Sequence, residues 1–227
     1  MLFTKTILSA FILFIVVMFP VRSQENPVSL EVRGGINIFN MYSDYEEVSA
    51  KTSYRFDAVL DRNFTPSFFL RSGLTFGAKN SALSVSNYFV FWNNGAYHSY
   101  TQYVDLKARY LQVPVMAGYR YSVKNIRFNA ALGGYAGLGI SGTRKEPFPI
   151  NYYYSHTSVQ KISPYKQEKT FNSTFHRFDS GLIVSFGAEF KRFTFTSGYE
   201  SGRVDIRRGK GKAKNRTVFL SLGYRVF

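Results

Sequence analysis

Three constellations in the sequence carry enough chemistry to be weighed as sites. Arg203, Arg207, Arg208, Lys210, Lys212, Lys214 and Arg216 form a basic run in which Asp205 is the only acid, and Gly209 and Gly211 loosen its backbone. Such a run is either a solvated, mobile loop or a surface that meets a phosphate-bearing polyanion. It lacks the interleaved stacking aromatics that single-stranded nucleic acid would need, so nucleic acid is not the expected partner. His176, Asp179 and Ser180 place an imidazole, a carboxylate and a hydroxyl within five residues. In an extended chain, however, positions 176 and 179 face opposite sides, so that carboxylate cannot orient that imidazole. Gly137-Leu138-Gly139-Ile140-Ser141-Gly142 satisfies a dinucleotide fingerprint formally. The fingerprint works only where the glycines open a helix, and here Pro147 and Pro149 follow with no helical period. The histidines, His98, His156 and His176, share no metal-ligand spacing with acids, so neither metal, cofactor nor catalysis is expected.

The elements that position these residues read as strands. Period-two alternation of apolar and polar side chains runs through Leu30–Ile38, Tyr54–Asp61, Phe68–Gly77, Leu111–Tyr121, Ile126–Leu138, Asp179–Phe190, Phe193–Glu200 and Thr217–Val226. Arg62–Pro66, Ser122–Asn125 and Lys191–Arg192 make tight connections. Asn40–Ser53, Asn80–Val104, Gly142–Phe175 and Ser201–Asn215 are long, and alternate with the tight ones. Two of the long segments are rich in aromatics: Tyr88 to Trp92 with Tyr97, Tyr100 and Tyr103, and Tyr152 to Tyr154 with Tyr165. These suit either a binding surface or a packed cover over the strand ends, and the cover is the preferred reading.

Composition narrows the class. The chain of 227 residues is 45% hydrophobic and 18% aromatic, too apolar to be disordered. It has no cysteine, which excludes disulfide staples and thiolate metal sites, and its net charge of +15 favours anionic surroundings. Lys5, an apolar stretch to Val21 and small residues before Gln24 describe a secretory signal peptide over residues 1–23, too short to be a membrane anchor. Residues 24–227 then form one exported, strongly basic domain.

Strands near ten residues long, with short turns at one rim and long loops at the other, describe an eight-stranded antiparallel up-and-down transmembrane β-barrel with four long external loops. A soluble ligand-carrying barrel has the same alternation with the faces reversed. Three features favour the membrane. Gly73, Gly77, Gly118, Gly133, Gly137, Gly187 and Gly223 recur on the polar face, where a narrow lumen has little room. Phe68, Tyr119, Tyr121, Phe128, Phe190, Phe193 and Tyr224 gather on the apolar face beside the short turns, as a girdle would. The polar face carries both signs: Glu31, Arg33, Arg55, Asp57, Arg71, Arg120, Arg127, Asp179, Glu189 and Glu200. In a narrow barrel those charges must neutralise one another. A closed sheet requires Thr217–Phe227 to pair with Val28–Ile38. Pro114, which cannot donate to a ladder, is expected to sit at a bulge.

Arg109-Tyr110-Leu111-Gln112-Val113-Pro114-Val115 resembles the Tyr-Leu-(Glu/Gln)-(Ile/Val)-Pro-(Leu/Val) signature in the fourth strand of Bacteroidota PorT-like, or porin-family, outer-membrane barrels. Tyr119-Arg120-Tyr121, Gly133-Gly134-Tyr135 and Arg177-Phe178-Asp179-Ser180-Gly181-Leu182 fit the same pattern. The resemblance implies location in the bacterial outer membrane and a family most of whose members have no assigned activity, with one branch assisting secretion. It also implies a terminal aromatic read by the barrel-assembly machinery, matched by Phe227. Val226 puts that ring out of parity with Leu220, Leu222 and Tyr224, so either the strand bulges or the ring turns from lipid. The expected role is structural or surface-interacting, with a lumen filled by paired charges. Expected partners are outer-membrane lipid, lipopolysaccharide at the basic loop, and a protein at the external loops. The alternatives are a small diffusion pore, a secretion-assisting barrel, a rim hydrolase and a soluble lipocalin-like carrier.

Overall fold

Every described segment is extended. The computed structural model describes residues 28–44, 47–89, 98–146, 149–154, 157–162, 166–171, 175–208 and 211–227. The strands are β1 (Val28–Ser43), β2 (Glu47–Asn63), β3 (Phe68–Phe89), β4 (His98–Val123), β5 (Ile126–Glu146), β6 (Pro149–Tyr154), β7 (Thr157–Ile162), β8 (Lys166–Lys169), β9 (Phe178–Phe190), β10 (Phe193–Gly202) and β11 (Ala213–Arg225). Eight of them close a ring in the order β1-β2-β3-β4-β5-β9-β10-β11, all antiparallel. The last strand returns to the first from Glu31↔Arg225 to Ser43↔Ala213, and Leu30 N donates to Phe227 O at 3.2 Å. Closure leaves the eight-stranded ring without an open edge, the condition for a sheet surrounded by hydrocarbon. The hairpin β6–β7 stands apart, and β8 extends the sheet at the outer end of β5, pairing Thr143 with Lys169.

Sidedness follows the sequence parity. Leu132 is 63% exposed and Leu222 69%, whereas their strand neighbours Ala131 and Ser221 are buried. All seven residues of the expected girdle are exposed. The rings of Phe68 and Tyr119, and of Phe193 and Tyr224, stack edge-on across adjacent strands at 5.1 and 5.6 Å. A soluble barrel would bury these faces, so the carrier alternative fails on geometry. The inner turns are tight, with Lys124 (φ 52°) and Lys191 (φ 57°) in the left-handed conformation.

Two expectations need correction. Three of the four long connections are largely strand, the β10–β11 connection being the exception: β1 continues to Ser43, β2 begins at Glu47, β3 and β4 pair out to Phe89↔His98, and β5 to β8 occupy much of the third. Beyond the bilayer the apolar faces no longer alternate as they do within it, and backbone pairing persists without that cue. Pro114 sits at no bulge. The β4–β5 pairing runs through Pro114↔Tyr135, and the β3–β4 pairing keeps one register on both sides while omitting Gly73 and Leu74. The Pro114 carbonyl finds its donor in a side chain. Ser72 Oγ donates to Pro114 O at 2.7 Å, and the register shift of this strand pair lies instead at Arg109/Tyr110. At the chain end, β11 stops at Arg225 and both Val226 and Phe227 are exposed, so strand parity does not bind the terminal ring.

Candidate functional site

The interior is the most chemically loaded part of the barrel. Nearest the short turns, Arg33 donates to Glu31 through Nε (2.6 Å) and Nη2 (2.9 Å), and Thr194 of β10 donates to the same carboxylate. Arg71 grips Asp61 with two parallel bonds of 2.8 and 3.0 Å, and Arg120 from β4 reaches Asp61 and Asn63. The Arg71 and Arg120 guanidiniums lie 4.9 and 4.1 Å from the Phe69 ring centre. That ring needs Gly118 opposite: a Cβ there would fall 2.2 Å from it. Arg225 contacts Glu189, whereas Arg127, largely outside the interior, stays 3.9 Å from it.

Midway up, Arg55 joins Asp57 (2.9 Å) to Glu200 (2.6 Å) across the barrel and stacks 4.0 Å over Phe219. Gln112 donates to Glu200, and Thr75 to Asp57. Higher still, Lys79 lies 3.2 Å from Asp179 and 3.5 Å from Glu200, with the rings of Tyr110 and Tyr135 about it. Tyr135 Oη and Asn215 Nδ2 donate to Asp179 at 3.1 and 2.7 Å. Lys79, Asp179 and Glu200 are at most 2% exposed. Bridging between distant strands is what makes these contacts consequential: cutting one partner leaves a charge in a place that cannot solvate it.

Above Lys79 the interior changes character. Phe39, Met41, Leu83, Val104, Leu106, Ala108, Tyr110, Phe171, Phe175, Ile206 and Ala213 form one buried apolar cluster. Phe171 and Phe175 come from the segment between β8 and β9, and Ile206 from the β10–β11 connection. Gly139 makes room for this cluster, since a Cβ there would meet the Phe171 ring at 2.3 Å. The glycines of the apparent nucleotide fingerprint therefore serve packing.

Of the seven residues of the basic run, six are described; Lys210 lies outside the described residues. Arg203, Arg208 and Lys212 are exposed, as is Arg216, whose guanidinium lies 5.2 Å from the Tyr42 ring centre. Lys214 and Arg216 stand on the outward-facing parity of β11. Arg207 is half-buried, with Nη2 donating to Ser43 Oγ at 3.3 Å. The run is therefore split between loop and strand. Asp205 organises it by accepting the backbone N–H groups of Arg207 and Ala213 at 3.0 Å each. Burial alone would raise the Asp205 carboxyl, but those two hydrogen bonds and the charges of Arg207 and Lys212 outweigh it and hold it below the usual carboxylate range.

His176 is exposed while Asp179 is fully buried in the interior network, so the structure does not bring them together. The side chains of His98, His156, Tyr88 to Trp92, Tyr97, Tyr100, Tyr103, Tyr152 to Tyr154 and Tyr165 lie outside what is described. Sequence reasoning passed over Lys79 and the apolar cluster, and left Asp61, at the end of its alternating strand, out of the lumen charges. A signal for the cluster exists: apolar residues switch from even to odd positions after Ile38, at Phe39 and Met41.

Comparison with curated proteins finds no match for this sequence. Among solved structures, Ail, the attachment invasion locus protein of Yersinia pestis, matches with a TM-score of 0.43 at 14% identity, covering 88% of this chain and 99% of that one. OprG of Pseudomonas aeruginosa matches with a TM-score of 0.44 at 11% identity, covering 87% and 95%. Neisserial surface protein A matches with a TM-score of 0.41 at 9% identity, covering 87% and 97%. The family model for the outer membrane protein beta-barrel domain matches residues 22–205, most of the chain. An antiparallel ring with apolar side chains outside and this match together place the protein in the bacterial outer membrane, as a member of the outer membrane protein beta-barrel domain family.

Proposed function

We propose that the protein is a plugged, non-conducting and non-catalytic barrel that acts through its outer surface, in a structural or interaction role. The observation that carries this reading is the stack of interior contacts from Glu31 to Phe175, ionic near the inner turns and apolar at the outer end. Eight strands leave room for side chains and not for a channel. Single-channel recording of the refolded protein in planar bilayers tests it. The expected result is no stable conductance; a steady ohmic channel would instead establish the diffusion pore.

The exposed cations Arg203, Arg208, Lys212 and Arg216 are the surface that meets a polyanion, with lipopolysaccharide phosphates the nearest at that rim. Support comes from charge and place: the run lies at the outer end, with Asp205 tied to its backbone. Replacing these four with Gln should weaken binding to the bacterium's own lipopolysaccharide and flatten its salt dependence; an unchanged affinity ends the reading. The Tyr110-Leu111-Gln112-Val113-Pro114 element in β4 supports PorT-like membership. Residues 1–23 are the export signal, and the barrel-assembly machinery reads the exposed Phe227.

A further inference from the structure

At the outer end of β4, β5 and β8 lies a groove of about 770 Å³, which carries the exposed Lys107, Arg109 and Lys169 and reaches in to Ala108 and Phe171 of the apolar cluster. Its floor is set by register. Asn80, Lys107, Thr143 and Lys169 are successive partners across β3, β4, β5 and β8, so they form one row on one face. Strands lie about 4.8 Å apart, which puts the backbones of Lys107 and Lys169 about 10 Å from each other with the Thr143 hydroxyl between them. One step inward, Arg109 pairs with Ser141. Arg177 closes the side: its Nη1 donates to the carbonyls of Gly139 (2.9 Å) and Ile140 (3.3 Å), which fixes an exposed guanidinium at the rim. Lys107, Arg109, Lys169 and Arg177 are all exposed, and Glu168 is the one carboxylate among the lining residues.

Height decides the ligand. Directly inward of the Arg109–Ser141 row come Leu111 and Leu138, exposed and on the lipid-facing parity. The groove therefore begins where the apolar belt ends, at the level of outer-leaflet headgroups. We propose that this groove binds the phosphorylated headgroup of an outer-leaflet glycolipid, with Lys107, Arg109, Lys169 and Arg177 on its phosphates and Ser141 and Thr143 donating hydroxyls. Acyl chains would then run inward over Leu111 and Leu138. This rests on the reading that the outer rim meets a polyanion, but places the principal contact on strand-borne residues on another side of the barrel, independently of the β10–β11 loop.

The test uses the full refolded protein in detergent, titrated with diphosphoryl lipid A and observed by native mass spectrometry. Lys107→Gln, Arg109→Gln and Lys169→Gln are combined; Arg177 is kept because it also bonds the backbone. Retained heat-modifiable mobility shows that the variant is folded. The expected loss is at least about tenfold in affinity, since each cation at an anionic lipid surface adds to binding. Lipid A stripped of both phosphates should bind wild type and variant equally weakly. Unchanged affinity in the folded triple variant overturns the inference. So does full displacement of lipid A by millimolar inorganic phosphate, which would mark a site for small anions only. A second variant, Arg203→Gln with Arg208→Gln and Lys212→Gln, separates the two readings. If only the loop variant loses binding, the loop reading stands and the groove falls; if only the groove variant does, the reverse holds; if neither does, both fall.

Discussion

Arg71, Arg55 and Lys79 on the one hand, and Phe39, Leu106 and Phe175 on the other, occupy the same lumen at different heights, yet obey opposite rules. Within the bilayer the outward positions must be apolar, so polar side chains are turned inward and neutralise one another around Asp61, Glu200 and Asp179. Beyond it the outward positions meet water, and residues such as Lys51, Lys107 and Arg216 take them. The interior there can be hydrocarbon, as in an ordinary soluble protein. One barrel thus carries an inverted core and a conventional core end to end. The ionic half is stabilised only as a complete set, whereas the apolar half loses stability side chain by side chain.

The largest effect is expected where the ionic half loses a shared acid. Asp61→Ala strands both Arg71 and Arg120, and should cost about 3–5 kcal/mol in urea unfolding from lipid vesicles followed by circular dichroism. A double replacement that removes acid and base together, Glu31→Gln with Arg33→Met, should cost markedly less than Glu31→Gln alone, which strands Arg33. If single and double replacements cost the same, the ionic half does not behave as a set.

Phe175→Ala at the apolar end should cost about 3 kcal/mol by the same assay, with no polar partner able to compensate it. The exterior sharpens the contrast. Leu132→Arg, at a lipid-facing position well inside the belt, should cost about 2–4 kcal/mol in lipid. Lys51→Gln, its pair with Asp105 half-exposed beyond the belt, should change stability by less than about 1 kcal/mol.

The smallest effect is a pH response confined to the β10–β11 connection. Because the Asp205 carboxyl is held below its usual range in the folded chain, its contribution is present in full above that usual range and is lost as pH falls through the lowered value. Hydrogen exchange at the Arg207 and Ala213 amides should therefore quicken on acidification, in excess of the intrinsic pH trend, while Asp205→Asn shows no such step. A step of equal size in the mutant would remove Asp205 as its cause.

The eight-stranded ring, its sidedness and its girdle were legible because a bilayer imposes period two on every strand that crosses it. What lies beyond the bilayer was not, since that constraint ends there. Phe39 and Met41 break the parity of Leu30 to Ile38, and a parity break resembles a loop unless it is recognised as an exchange of faces. Lys79 escaped for a related reason: nothing beside it in the sequence hints that Asp179 and Glu200, a hundred residues or more away, face it across the lumen. Pro114 misled through a sound rule applied to the wrong consequence. A missing donor interrupts two pairs without shifting register. The basic run was visible as composition, but its division between loop and outward strand face depends on where β11 begins. The groove residues Lys107, Arg109 and Lys169 become neighbours only through register.

The claim that the lumen is closed is tested most directly by chemical access, and the absence of native cysteine makes this clean. Ser81→Cys and Thr196→Cys place thiols at buried interior positions on β3 and β10. In folded protein within lipid vesicles, a water-soluble maleimide should leave both unlabelled until urea unfolds the barrel, while Tyr121→Cys beside an inner turn reacts promptly. Rapid labelling of Ser81→Cys or Thr196→Cys in the folded barrel would mean that water fills the axis, and would contradict the plugged interior.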